Sequence, residues 1–229
     1  MVFFMYLVEK NINRLEKFGS TFFLDPSEAN LVKSKLKKNM YKIYKPYIDS
    51  EKVILYREIP NILLYEIKCN NKLRHQDIMG ALLNLNLDKS LFGDILIIDD
   101  KYYFYVFEYI YKEIENNFNK ISRYNIDIER CNLDLLSNYT RNYEEIELIV
   151  SSLRIDTVIS RLLKINRNKI KELIHDKDIL LNYEVLKNNS YIVKENDIFS
   201  IRRYGKYKYS NIVKNTKSDN YIIKVLKYI

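Results

Sequence analysis

Arginine and lysine recur at close spacing over the last third of the chain, and the chemistry open to them is the gripping of phosphates. Arg167, Lys169 and Lys171 alternate along one short run. Arg154, Arg161 and Lys164 precede them, and Arg202, Arg203, Lys206 and Lys208 follow. A guanidinium presents a planar fork of N–H donors that matches phosphate oxygens, whereas a lysine supplies a mobile point charge. His175, at the end of the same run, could touch a phosphate or complement a helix dipole. One other pair has chemical potential, His75 with Asp77, which could exchange protons or could cap a helix. No nucleophile or metal partner stands near that pair in sequence. The chain has only four glycines, Gly19, Gly80, Gly93 and Gly205. No phosphate loop or dinucleotide fingerprint can be assembled from them, so no cofactor and no small-molecule substrate are expected.

The elements that must position these charges follow from apolar spacing. Ile170, Leu173 and Ile174 recur as a helical stripe, which predicts a short helix over 168–176 with Arg167 and Lys171 on one edge and Lys169 on the other. A helix over 154–164 precedes it, in which Asp156 caps or pairs with Arg154. Short strands near 179–182, 191–193 and 198–202 follow. Residues 52–130 alternate between strand and helix signals. A strand at 62–67, a helix at 76–85 with Ile78, Met79, Leu82 and Leu83 inward, a hairpin at 95–107, a helix at 106–118 and a strand at 123–128 give an order that suits a small α+β sandwich. Gly80 fits close helix packing there and Gly93 a turn. Residues 9–48 read as helical, with Asp25-Pro26-Ser27-Glu28 as a start signal and Lys33, Lys35, Lys37 and Lys38 as a solvated face. Residues 139–147 are polar and acidic and read as a linker.

Charge sharpens this division. The formal net charge is +8, yet residues 151–229 hold 17 Lys+Arg against 8 Asp+Glu while residues 1–150 hold 21 against 22. The basic excess is therefore confined to the C-terminal third, as expected of a module that meets a polyanion. Cys69 and Cys131 have neither zinc-site nor disulfide-framework spacing, so a reducing cytoplasm and no bound metal are expected. The apolar opening, residues 1–8, is cut off by Glu9 and Lys10. It is too short for a membrane span and lacks the features of a signal peptide. With 21 Tyr and no Trp, tyrosine is abundant everywhere. Two tyrosine runs, 102–107 and Tyr204, Tyr207 and Tyr209, could stack on bases or could be core.

Ser152-Leu153-Arg154-Ile155-Asp156, followed by Asn166-Arg167-Asn168-Lys169-Ile170-Lys171-Glu172-Leu173-Ile174, resembles the S4-type RNA-binding domain. Ile179-Leu180-Leu181-Asn182 and Lys194-Glu195-Asn196-Asp197-Ile198-Phe199-Ser200-Ile201 continue the pattern. Lys177 and Asn196 stand where relatives usually carry glycine. Upstream, His75-Gln76-Asp77-Ile78-Met79-Gly80-Ala81-Leu82-Leu83 with Phe92-Gly93-Asp94-Ile95, and Phe23-Leu24-Asp25-Pro26 before them, resemble the bacterial YlmH family. The resemblance implies a helical segment over 1–50, a ferredoxin-like or RNA-recognition-motif-like domain over 51–138, a linker over 139–150, an S4-type domain over 151–213 and a strand extension over 214–229. It adds Asn168, Lys177 and Asn182 to the basic residues above as RNA contacts. It further implies a non-catalytic, monomeric factor that binds rRNA and tRNA on the large ribosomal subunit in quality control of stalled nascent chains. The alternatives are a protein–protein adaptor working through residues 1–150, or an RNA-modifying enzyme centred on His75 and Asp77.

Overall fold

The computed structural model describes residues 2–216 and 219–228. The chain divides into two compact units, Met1–Thr140 and Arg141–Ile229.

The first unit opens with helix α1 (Val2–Phe18) and helix α2 (Pro26–Lys35), then a two-stranded ladder of β1 (Lys42–Tyr44) and β2 (Ile54–Tyr56). The start signal at Asp25 is a full capping box. The Glu28 amide donates to the Asp25 carboxylate at 2.9 Å and the Asp25 amide to that of Glu28 at 3.0 Å. Residues 9–48 are thus not one helical stretch. Gly19, at φ +74°, turns the chain out of α1, and Ser20 and Leu24 bridge to Tyr56 and Val53 instead.

Next come β3 (Ile62–Lys68), α3 (His75–Leu83), β4 (Phe92–Ile98), β5 (Lys101–Phe107), α4 (Tyr111–Asn117), the small hairpin β6 (Lys120–Ile121) and β7 (Tyr124–Asn125), and β8 (Asp127–Cys131). The sheet order β4-β5-β3-β8, antiparallel throughout, is that of a ferredoxin-like sandwich. Val106 and Phe107 belong to β5 rather than to the following helix, and Arg123 lies outside β8. Leu83 points outward, because the inward stripe of α3 is Ile78 and Leu82.

Both faces of this sheet are covered. Tyr65, Phe104 and Val106 pack under Ile78, Leu82, Ile114 and Phe118 of the helices. Leu64, Tyr103, Tyr105 and Phe107 pack under Phe23, Tyr47, Ile54 and Leu136. Gly93 lies within β4 rather than in a turn. A Cβ there would meet Tyr105 Cβ at 2.8 Å and Phe23 Cε1 at 2.9 Å, so glycine permits the close approach of that second layer. Asp94 beside it accepts from Tyr47 Oη at 2.7 Å, Ser50 Oγ at 3.2 Å and the Glu51 amide at 2.8 Å, which ties the 47–52 loop to the sheet. Gly80, by contrast, has open space where a Cβ would stand, and serves no close packing.

The second unit comprises β9 (Tyr143–Val150), α5 (Ile155–Leu163), α6 (Arg167–His175), β10 (Ile179–Leu181), β11 (Glu184–Val185), β12 (Ile198–Ile201), β13 (Gly205–Asn215) and β14 (Tyr221–Tyr228). These strands form one sheet in the order β11-β10-β12-β13-β14-β9. The acidic 143–150 segment is therefore a strand and not a linker. Ile146, Leu148 and Val150 face the core while Glu144 and Glu145 pair with Lys227 and Lys224 of β14, each at 2.8 Å. Around 191–193 there is no strand, only a single bridge from Ile192 to Arg154.

The core of this unit is Ile155, Val158, Ile159, Ile170 and Leu173 on Phe199, Ile201, Tyr207, Tyr209, Ile223 and Val225. Burial of Tyr207 and Tyr209 removes them as base-stacking groups, as burial on both faces does for 102–107. Among the described residues no helix is long and apolar enough to cross a membrane.

Candidate nucleic-acid interface

The α5–α6 corner is built from a few polar contacts around an apolar stripe. α5 ends where Lys164 adopts a left-handed conformation, φ 55° and ψ 39°. Ser160 secures the turn from both sides. Its carbonyl accepts from the Ile165 amide at 3.2 Å, and its Oγ donates to the Ile165 carbonyl at 2.6 Å. Asn166 then caps α6 by accepting the Lys169 amide at 2.9 Å. A polar groove of about 530 Å³ lies against this corner, lined by Thr157, Ser160, Arg161, Lys164, Asn166 and Arg167 among others. Three cations line it and no carboxylate does.

Arg167 is the best fixed of the three, donating from Nη2 to Thr157 Oγ1 at 2.7 Å. Thr157 is itself buried and lies 3.1 Å from Ser152 Oγ. The remaining N–H groups of Arg167 have no protein partner among the described residues. A guanidinium anchored by one donor and open at the others suits a phosphate, because its orientation is settled before the ligand arrives. Lys171, one turn further along α6, is exposed and extends the same edge. Asn168 is exposed in the first turn between them.

Other cations named from the sequence are engaged elsewhere. Arg154 grips Asp156 bidentately, at 3.1 and 2.8 Å, and its guanidinium holds the almost fully buried Asp156 carboxyl below the usual carboxylate range. Lys169 pairs with Glu172 at 2.7 Å, His175 with Asp176 at 3.2 Å and Arg202 with Asp178 at 3.2 Å. Those three belong to a surface of mixed sign, where a phosphate would meet carboxylates as well as cations. Arg203 sits in the adjoining turn at φ 70°.

Lys206 and Lys208 lie on the far face of the sheet, since the alternating Tyr207 and Tyr209 point into the core under the helices. Lys206 stands 4.6 and 4.7 Å from the ring centroids of Tyr183 and Tyr228. Asn182 has a structural part. It accepts the Ile198 amide at 2.9 Å and donates to Asp197 at 2.8 Å, joining the end of β10 to the start of β12. Lys177 and Asn196 do take left-handed conformations, φ 60° and 70°, where glycine would be easier.

The groove therefore gathers Arg161, Lys164 and Arg167, with Lys171 beyond it on the same edge of α6, and leaves Lys169, His175, Lys177, Arg202 and Arg203 on a second surface and Lys206 and Lys208 on a third. Thr157 and Ser160 are not legible as site residues from sequence, since a hydroxyl on an apolar helix stripe gives no signal of what it holds. In the first unit, Asp77 accepts from the Arg74 guanidinium at 2.9 Å and from the Arg74 amide at 3.2 Å, which places it as a helix-start residue. His75 is the first residue of α3. Among the described residues no cluster of His, Cys, Asp or Glu is arranged to hold a metal ion.

Comparison with known proteins agrees with this division. The family model described as "Putative RNA-binding domain in YlmH" matches residues 60–135, the ferredoxin-like sandwich. The S4 domain model matches residues 153–199, which include α5, α6, β10, β11 and the start of β12. The "Ribosome-associated protein quality control protein P2" of Bacillus subtilis (strain 168) is 27% identical over 147 residues. That match covers 64% of this chain and 57% of the relative, so the chain spans little more than half the length of the curated protein it matches. A solved structure titled "Cell division protein ylmH from Streptococcus pneumoniae" has 24% identity and a TM-score of 0.47, covering 59% of this chain and 93% of that one. The YlmH and S4 domain models match successive stretches of the chain, on the folds that the residues themselves dictate, and the chain is similar to the YlmH-like family with a C-terminal S4 domain.

Proposed function

We propose that the chain is a non-catalytic RNA-binding factor whose second unit grips structured RNA through the α5–α6 groove, on the ribosome. The observation that carries this reading is a groove lined by Arg161, Lys164 and Arg167 with no carboxylate, one of whose guanidiniums is anchored by a buried hydroxyl. Phosphate contacts of this kind position a protein on a folded RNA without reading its bases. Both matched domains are described as RNA-binding or belong to a domain class that resembles RNA binders, and the B. subtilis relative is named for ribosome-associated quality control. By that kinship the RNA is rRNA, with tRNA beside it on the large subunit, and the process is the handling of stalled nascent chains.

The test is co-sedimentation with ribosomes at physiological salt. Arg161→Ala, Lys164→Ala and Arg167→Ala together should abolish it while circular dichroism stays unchanged. Undiminished sedimentation of the triple variant would remove the reading.

A further inference from the structure

The first unit carries a second concentration of cation and aromatic side chains, around α1 and the end of β5. Arg14 of α1 lies amid four rings, its guanidinium carbon 4.5 Å from the centroid of Phe22, 4.8 Å from Phe107, 5.6 Å from Tyr109 and 5.7 Å from Phe18. Its Nη1 donates to the Ser20 carbonyl at 3.0 Å, so the plane is held in place. Beside it opens a cleft of about 730 Å³. That falls in the range of pockets that enclose a small ligand, about 300–1,000 Å³.

Two of the rings are left largely in water. Phe18 is 70% exposed and Tyr109 57%, and Tyr6 on the same rim is 63% exposed. Large apolar side chains grouped in this way around a cleft mark a binding surface rather than scattered exposure. The rim also carries Lys10, Arg14 and Lys17 against one carboxylate, Glu9. Lys10 is already paired with Asp88 at 2.6 Å, and an apolar helix from a partner would have to desolvate Arg14 and Lys17 without pairing them. A flat ring joined to a phosphate meets both features at once, stacking on Phe18 or Tyr109 while its anion reaches Lys17 or Arg14.

We infer that this cleft holds an unpaired RNA nucleotide, making the N-terminal helix a single-strand contact separate from the α5–α6 groove. The chain contains no tryptophan, so Phe18→Trp in the full chain gives a sole indole reporter within the cleft. Titration with a short oligouridine RNA should quench its emission saturably. Adding Lys17→Ala and Tyr109→Ala should weaken that quench about tenfold or more, as expected when one stacking ring and one phosphate-binding cation are removed. The Arg161, Lys164 and Arg167 triple variant, made in the same reporter chain, should leave the quench in place, so that the two RNA contacts fail independently. Absence of a saturable quench, or its loss in the groove triple variant alone, would overturn the inference. So would an equal quench by an uncharged amphipathic peptide, which would assign the cleft to a protein partner.

Discussion

The two sheets of this chain are built from similar strands and treated in opposite ways. In the first unit β5 offers a run of aromatic residues of the kind that could stack bases. Helices close one of its faces, and Phe23, Tyr47 and Ile54 close the other. In the second unit the helices cover one face only, and the groove lined by cations without a carboxylate lies at the corner between those helices rather than on a strand. The difference teaches where recognition can reside. A sheet buried on both sides can only support, so under the proposed reading contact with RNA falls to helix ends and to the rim of α1.

The largest break in this comparison would come from reopening the covered face. Phe23→Ala should cost the first unit about 3–5 kcal/mol, as for other buried aromatics cut to alanine, measured by urea denaturation followed by near-ultraviolet circular dichroism. RNA affinity should not rise. A gain of about tenfold would mean that the second layer masks a stacking platform, and the contrast between the sheets would collapse.

Next in size is Asp156, which anchors the start of α5. Asp156→Asn should destabilise the second unit by about 2 kcal/mol at neutral pH, since it removes the bidentate partner of Arg154 from a nearly buried site. The sign of the pH dependence follows from the low-lying carboxyl. Its contribution is present above the ordinary aspartate range and is lost as pH falls through the lower folded value, so wild type and variant should begin to converge as pH falls below about 4 and meet only below the folded value. Thermal melts across that range check it, and an advantage that persists in acid would refute it.

The two motif glycines of the first unit should then diverge. Gly93→Ala forces a methyl against Tyr105 and Phe23 and should cost about 1–3 kcal/mol. Gly80→Ala enters open space within a helix and should stabilise by about 0.5–1 kcal/mol. Smallest is Lys177→Gly. It relieves a left-handed non-glycine residue and should raise the second unit's stability by about 1 kcal/mol at most, with RNA affinity changed only slightly.

Much of this architecture is legible from spacing. The Ile170, Leu173 stripe places α6, Asp25 with Glu28 places α2, and the strand–helix order gives the sandwich. β9 escapes such a reading because three glutamates hide the alternation of Ile146, Leu148 and Val150. The break after α1 escapes it because Gly19 alone does not declare its turn. The site is only partly legible. The far-face position of Lys206 and Lys208 follows from their alternation with Tyr207 and Tyr209, and the Lys169–Glu172 pair from helical spacing. The pairing of Arg202 with Asp178 and the grip of Thr157 on Arg167 need the fold, because their partners meet only after the helices and strands have packed.

If the α5–α6 groove makes the phosphate contacts and the other basic surfaces do not, the two must differ in how they respond to salt. The most direct measurement is the salt dependence of affinity for a structured rRNA fragment. Replacing Arg161, Lys164 and Arg167 with alanine should flatten the slope of log affinity against log salt by about 2–3, near one for each phosphate no longer neutralised, while Lys206→Ala with Lys208→Ala should leave it nearly unchanged. A slope unaltered by the first set, or flattened equally by the second, would contradict the assignment of phosphate binding to the groove.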